Sequence, residues 1–347
     1  MPPTAEAKPL ASLPPSLALA RVESQLFFIV GCGRSGTTLL QSMLLSHPDM
    51  VIPPETKFYG AFVERPRRLP PSFREDHELR KAAHAVWDDQ RRRGIETNED
   101  TLYRMAFAAR RDPNGLLLAL LTAYAIEHRA ERVGEKSPIH THYVGELAEA
   151  FPTAKFIHIM RDPRAVMLSR MTAGFGTSLI GPNIRRWKRA AQMHADFADA
   201  LGPSRYLLVR YEDLVTSPRA TLEKVCGLIK LDLLPEMLEP HKRQKKGFAE
   251  RSSHGMNKPL KPISTSSLEK WKAALKPAHI ALTEHALGEE MQRFGYKPTG
   301  ARVALPGLRL ALSNAAGFLE DNWALGMRGV KKLLRGGKPA ETMGEGE

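Results

Sequence analysis

Two short segments carry most of the chemistry legible in this chain. Gly31-Cys32-Gly33-Arg34-Ser35-Gly36-Thr37-Thr38 keeps the glycine spacing and final hydroxyl of a triphosphate-binding G-x-x-x-x-G-K-[ST] loop, but Thr37 stands where the lysine belongs. Gly33, Arg34, Ser35, Gly36, Thr37 and Thr38 together offer backbone N–H groups, three hydroxyls and a guanidinium fork, a dense donor set for one anion. Lacking the lysine that serves β/γ-phosphates, the loop is expected to hold a phosphate other than that of a triphosphate. The plainer alternative is a glycine turn that merely joins a strand to a helix. The second segment runs from Arg161-Asp162-Pro163-Arg164 to Ser169. Arg161 falls at a strand end and Ser169 about two helical turns further on, so guanidinium and hydroxyl can converge on a second anion. The competing reading makes Arg161–Asp162 a local ion pair and Ser169 a surface residue. Two anion sites on one sheet edge suit a nucleotide with phosphates at two positions.

The elements that must position these groups follow from the apolar pattern. Leu26–Val30, Lys155–Met160 and Tyr206–Val209 are short apolar runs suited to buried parallel strands. Helical periodicity covers Thr37–Ser46, Leu79–Arg93, Thr101–Ala109, Leu116–Arg129, Tyr143–Ala150, Arg164–Met171, Arg185–Leu201 and Pro218–Ile229. Strands alternating with helices predict an α/β fold: a doubly wound, mainly parallel sheet with helical insertions and a C-terminal helical extension. Residues 1–24 read as a poorly ordered arm and 25–299 as one α/β domain. Within it, 60–130 forms a helical insertion suited to an acceptor-binding lid, and 240–265 a long polar loop. Residues 300–347 form a helical tail with a disordered end. Leu312, Leu319, Trp323, Met327, Val330 and Leu334 recur there at near-helical spacing beside basic residues. That tail is expected to dock on the domain or on a partner in a homodimer, the alternative being peripheral membrane contact.

At this point the residues resemble the sulfotransferases that use 3′-phosphoadenosine 5′-phosphosulfate (PAPS). The glycine loop is similar to their 5′-phosphosulfate loop, and Arg161 to Ser169 to their 3′-phosphate segment. Pro54-Glu55-Thr56-Lys57 stands where tyrosylprotein sulfotransferases carry a Glu-Thr-Arg segment with the catalytic base. Gly134-Glu135-Lys136-Ser137-Pro138 resembles their lysine-containing strand end, and Tyr211-Glu212-Asp213-Leu214 a tyrosine segment near the adenosine. Glu250-Arg251-Ser252-Ser253, Lys261-Pro262 and Leu268-Glu269-Lys270-Trp271 resemble the late cofactor loop and closing helix. The likeness spans about residues 26–297. It departs from the cytosolic branch, in which a lysine stands at Arg34 and the base is a histidine. It departs from the tyrosylprotein branch at Ala173, where that branch has an arginine, and in a longer late loop. The resemblance implies sulfuryl transfer from PAPS, without a metal, to a hydroxyl of a saccharide, lipid or tyrosine. Glu55 would be the general base, with Arg34 and Lys136 stabilising charge on the transferring group. Tyr211, Arg251, Ser252 and Lys261 would join the two anion segments in binding the cofactor. A kinase with a degenerate loop and a catalytically silent nucleotide-binding scaffold are the alternatives.

Bulk properties constrain the partners. The 347 residues carry 51 basic and 38 acidic side chains, a formal charge of +13, which favours anionic ligands. No nucleic-acid-binding signature accompanies the charge, so no nucleic acid partner is expected. Two cysteines and no metal-ligand spacing fit a reducing, cytoplasmic setting, and the first 20 residues lack a signal-peptide pattern. The histidines form no constellation. His140 and His142 would point apart on a helix, and solvated or capping roles are expected for the scattered others.

Overall fold

Strands apolar on both sides need cover on both faces, and the central strand shows this directly. In the computed structural model, which describes residues 8–64, 69–173, 177–242 and 261–318, strand β1 (Phe27–Val30) is buried at every position. Phe28 and Val30 enter one core while Phe27 and Ile29 enter the other, the two-residue alternation of a pleated strand. With β2 (Met50–Val51), β3 (Arg132–Lys136), β4 (Lys155–Met160) and β5 (Tyr206–Arg210) it builds a five-stranded sheet of order β2-β3-β1-β4-β5. Every pairing is parallel. The chain leaves β1 toward one edge and β4 toward the other. These two neighbours therefore flank a switch point, the crevice beyond the strand carboxyl ends where such sheets bind ligands.

Helices cover both faces. They are α1 (Pro15–Gln25), α2 (Thr37–Leu44), α3 (Asp76–Arg92), α4 (Glu99–Ala108), α5 (Pro113–Glu127), α6 (Val144–Ala150), α7 (Pro163–Met171), α8 (Ile180–Leu201), α9 (Tyr211–Thr216), α10 (Pro218–Ile229), α11 (Lys270–Ala274) and α12 (Pro277–Arg293). Residues 306–318 are also helical. Starts are marked by the residue types physics favours: Asp112 caps α5 by accepting from the Gly115 N–H at 2.7 Å, with Pro113 at the first helical position. Asp162 and Pro163 repeat that arrangement at α7.

Three expectations change. The stretch before residue 25 includes an ordered helix: α1 buries Ala18, Leu19 and Val22 in the core it shares with α5, because those residues fall on one helix face. The 60–130 stretch is helical across its described elements, but α5 belongs to the core rather than to a lid. Leu116 through Ala125 are all buried, since that helix is apolar all round. Strands β2 and β3 lie outside the apolar runs. The first has two residues and the second reads Arg-Val-Gly-Glu-Lys, so neither presents a continuous hydrophobic signal.

Candidate active site

The glycine loop is held to the sheet at its first residue. The Gly31 N–H donates to Thr141 Oγ1 at 2.6 Å, and the same hydroxyl donates back to the Gly31 carbonyl at 3.1 Å. A side chain there is barred, because a Cβ would lie 2.2 Å from the Ile159 carbonyl oxygen and φ is +137°. Gly36 caps α2 at φ +104°, where a Cβ would strike the Tyr211 ring at 2.4 Å. Arg34 adopts the left-handed region without being glycine, at φ 79°, a strain of about 1–3 kcal/mol that recurs at binding loops. Ser35 and Thr37 are buried, Thr38 is half-buried, and Ser35 Oγ has no hydrogen-bond partner. An unsatisfied buried hydroxyl costs about 1–3 kcal/mol; beside a helix start, it is a donor a phosphate oxygen would complete.

The second anchor assembles around Arg161. Its Nη2 donates to the Ser267 carbonyl at 2.9 Å and its Nη1 to the Arg34 carbonyl at 3.4 Å, while its Nε is buried without a partner. The guanidinium lies over the Tyr211 ring at 4.2 Å from the centroid, and Tyr211 Oη pairs with Ser267 Oγ at 2.8 Å. Asp162 does not neutralise Arg161: it pairs with Arg164 at 2.7 Å, because α7 turns Arg164 back over its own cap. Arg34 Nε donates to Ser169 Oγ at 3.0 Å, so Arg34 ties the glycine loop to the second anchor. Burial, and then the Arg161 charge, push the Arg34 pKa below the usual guanidinium value. Two neighbouring cations in this cluster make a strong field for an anion.

On the other side of β1, the end of β3 brings a carboxylate and an amine together. Lys136, buried at the strand's last residue, places Nζ 2.8 Å from Glu55 Oε1, and Lys57 Nζ lies 3.6 Å from Oε2. This pair adjoins the glycine loop: a Cβ on Gly33 would come within 4.0 Å of Pro138, two residues beyond Lys136. The segment carrying Glu55 is clamped by a wholly buried network. Glu135 Oε1 accepts from Thr56 Oγ1 at 2.8 Å and Ser137 Oγ at 2.5 Å, and Glu135 Oε2 pairs with His140 Nδ1 at 2.8 Å. The Tyr59 N–H donates to His140 Nε2 at 3.3 Å, which assigns the imidazole proton to Nδ1. Burial pushes the Glu135 carboxyl up, but His140, Ser137 and Thr56 outweigh it and hold it below the ordinary value.

The sequence-derived site residues Gly33, Arg34, Ser35, Gly36, Thr37, Thr38, Glu55, Lys136, Arg161, Ser169 and Tyr211 thus lie around the sheet's carboxyl edge. Arg251 and Ser252 lie outside the described residues. Lys261 is exposed, and it is Ser267, five residues beyond the Lys261-Pro262 pair, that meets Arg161 and Tyr211. His140 corrects the reading of the histidines: it is fully buried and bonded to Glu135, because its turn, Pro138–Tyr143, is a 3₁₀ segment packed under the site. Thr141, Glu135 and His140 were visible in the sequence only as neighbours of Lys136. Among the described residues no group of three or more His, Cys, Asp or Glu side chains is arranged to hold a metal.

A parallel switch-point sheet with a glycine loop after its central strand defines the class: a doubly wound α/β fold. A sequence profile described as "Sulfotransferase family" matches residues 27–236, and the chain belongs to that family. It is 25% identical over 286 residues to protein-tyrosine sulfotransferase A of Caenorhabditis elegans, covering 79% of this chain and 68% of that protein. Against human carbohydrate sulfotransferase 5 it is 27% identical over 199 residues, 49% of this chain and 46% of that one. The sulfotransferase domain of the Synechococcus PCC 7002 olefin synthase superposes with a TM-score of 0.55 over 78% of this chain and 94% of that one, at 24% identity, a likeness of fold.

Proposed function

We propose that this chain transfers a sulfuryl group from PAPS to a hydroxyl of a tyrosine, saccharide or lipid acceptor, with Glu55 as general base. PAPS would supply the activated sulfuryl group. The glycine loop, with Ser35 Oγ awaiting an acceptor, would hold its 5′ end, and Arg161, with a free Nε, its 3′-phosphate over the Tyr211 side of the sheet. Fit is supported by those two orphaned buried donors, one at each anchor. Glu55 would take the acceptor's proton as the oxygen bonds sulfur, leaving the electron pair of the broken S–O bond on the phosphate oxygen. Lys136, with the cations around the loop, would stabilise the charge that develops there. Tyrosine-modifying and carbohydrate-modifying relatives both support a hydroxyl acceptor.

The observation that carries this reading is the Glu55–Lys136 pair at 2.8 Å beside the glycine loop, which supports a base and a cation acting on one reacting centre. Calorimetric titration tests the donor, with 3′,5′-ADP expected to bind more tightly than ATP–Mg²⁺; the reverse order overturns the reading in favour of a kinase. Glu55→Gln tests the base. Turnover of a generic phenolic or saccharide acceptor should fall about 10²–10⁴-fold while 3′,5′-ADP affinity stays within about twofold.

A further inference from the structure

Beside the glycine loop, where the Arg186 charge reaches Cys32, a cavity of about 580 Å³ opens between the Pro138–Tyr143 turn and the first half of α8, lined by His142, Pro182, Arg185, Arg186, Lys188 and Arg189. No carboxylate lines it, and residues 177–195 contain neither Asp nor Glu. Lys188 pairs with Glu290 at 3.0 Å. Arg185 bonds instead to the neutral amide of Asn314, and Arg186 Nη1 and His142 Nδ1 are buried without a hydrogen-bond partner. Burial, and then the Arg189 charge, hold His142 below the ordinary imidazole value. Guanidinium groups on successive turns, without compensating carboxylates, make a receptor for a phosphate-like anion.

The same end of α8 supports an apolar ridge. The 306–318 helix seats on it: the Gly181 N–H donates to Ser313 Oγ at 3.0 Å, Arg185 reaches Asn314, and Gly317 lies so close to Pro182 that a Cβ would meet it at 2.3 Å. The face opposite these contacts is left uncovered among the described residues. Leu308 and Leu312, one turn apart, are 55% and 62% exposed, with Leu305 at 68% and Phe318 at 66% beside them. Four of the seven large apolar side chains exposed among the described residues lie on this one stretch. Arg302 and Arg309 flank it, exposed, and residues 300–318 contain no carboxylate.

We propose that ridge and pocket dock together on an anionic lipid surface, the leucines entering the acyl boundary and the α8 cations taking a phosphate headgroup. Charge complementarity selects this occupant. A two-fold pairing of copies through the ridge would bring like cationic pockets together on chains of formal charge +13 each, whereas an anionic bilayer satisfies both features.

Co-sedimentation of the full-length protein with vesicles tests it, using phosphatidylcholine alone and phosphatidylcholine with about 30 mol% phosphatidylglycerol. Partition should be at least about tenfold higher on the anionic vesicles and should weaken with added salt. It should fall about tenfold in Leu308→Asp/Leu312→Asp and again in Arg189→Glu, both at exposed positions and both retaining the parent's thermal midpoint. Should either variant misfold, Leu308→Ser or Arg189→Gln replaces it. Equal partition onto both vesicles, no partition, or partition unchanged in either variant overturns the proposal. So does a dimer in solution that Leu308→Asp/Leu312→Asp abolishes, which would assign the ridge to a second copy.

Discussion

Ser35 and Arg161 each keep one buried polar atom without a partner, and they sit at the two anchors flanking the switch point. A buried hydroxyl with nothing to bond opposes folding of the unliganded protein, yet is poised to bond a ligand oxygen. Ser35→Ala should therefore leave the unliganded thermal midpoint unchanged or slightly raised while weakening 3′,5′-ADP binding about tenfold, as read by calorimetry alongside a thermal melt. Arg161 is less replaceable, because one planar group meets the Ser267 carbonyl, the Arg34 carbonyl and the Tyr211 face at once. Arg161→Lys, which keeps the charge but loses the fork, should cost about 10–100-fold in the same affinity. The donor types at these positions were readable in the sequence, since hydrogen-bonding capacity belongs to the residue itself. The direction in which Arg34 points was not, because its partner Ser169 lies 135 residues away.

At the scale of elements, the end of β3 and the segment after β2 behave as one piece. Glu135 joins them through Thr56, Ser137 and His140, so the carboxylate at Glu55 is aimed by a charge that never sees solvent. Glu135→Gln retains the volume but replaces an all-acceptor carboxylate, leaving at least one buried donor unsatisfied. A loss of about 2–4 kcal/mol in urea denaturation is expected, with a lower kcat from a less well held Glu55. Gly36→Ala tests the loop more directly. The added methyl must displace the Tyr211 ring, so nucleotide affinity should fall while the sheet, and its circular dichroism, remain. The strands β1, β4 and β5 were legible as apolar runs. The polar strand β3 was not, because Glu135 and Lys136 are buried by hydrogen bonds and ion pairing rather than by hydrophobic transfer.

For the molecule as a whole, the buried histidine of the central sheet is expected to contribute to a loss of stability in acid. His158 lies on β4, fully buried, with Nδ1 paired to Tyr206 Oη at 2.5 Å and Nε2 unpartnered. Burial, and then the neighbouring His194, depress its pKa to about 3. The folded value lies below the unfolded one near 6.5, so the unfolded chain binds the proton first. The stability is fully present above that unfolded value and is lost as pH falls from there toward 3, by about 1.4 kcal/mol per pH unit. His142, His194 and His279 shift in the same direction. Glu135, held below its ordinary value, adds a loss only below the unfolded carboxylate range of about 4. Urea unfolding at pH 7, 6 and 5 should show this slope, and His158→Gln should flatten it; a flat profile for the parent chain would count against a neutral buried imidazole.

What the sequence by itself determined is local: the donor set of the glycine loop, the strand–turn–helix units around Val30 and Met160, and the Asp162-Pro163 start of α7. Periodicity, caps and backbone sterics act over a few residues and can be read in order. Only the tertiary structure decided which distant groups meet. Thr141 holds Gly31 across 110 residues, Glu135 reaches back to Thr56, and Ser267 rather than Lys261 meets Arg161 and Tyr211. Those pairings depend on which strands become neighbours. That choice is made by burying two opposite apolar faces at once, a constraint that no single segment carries.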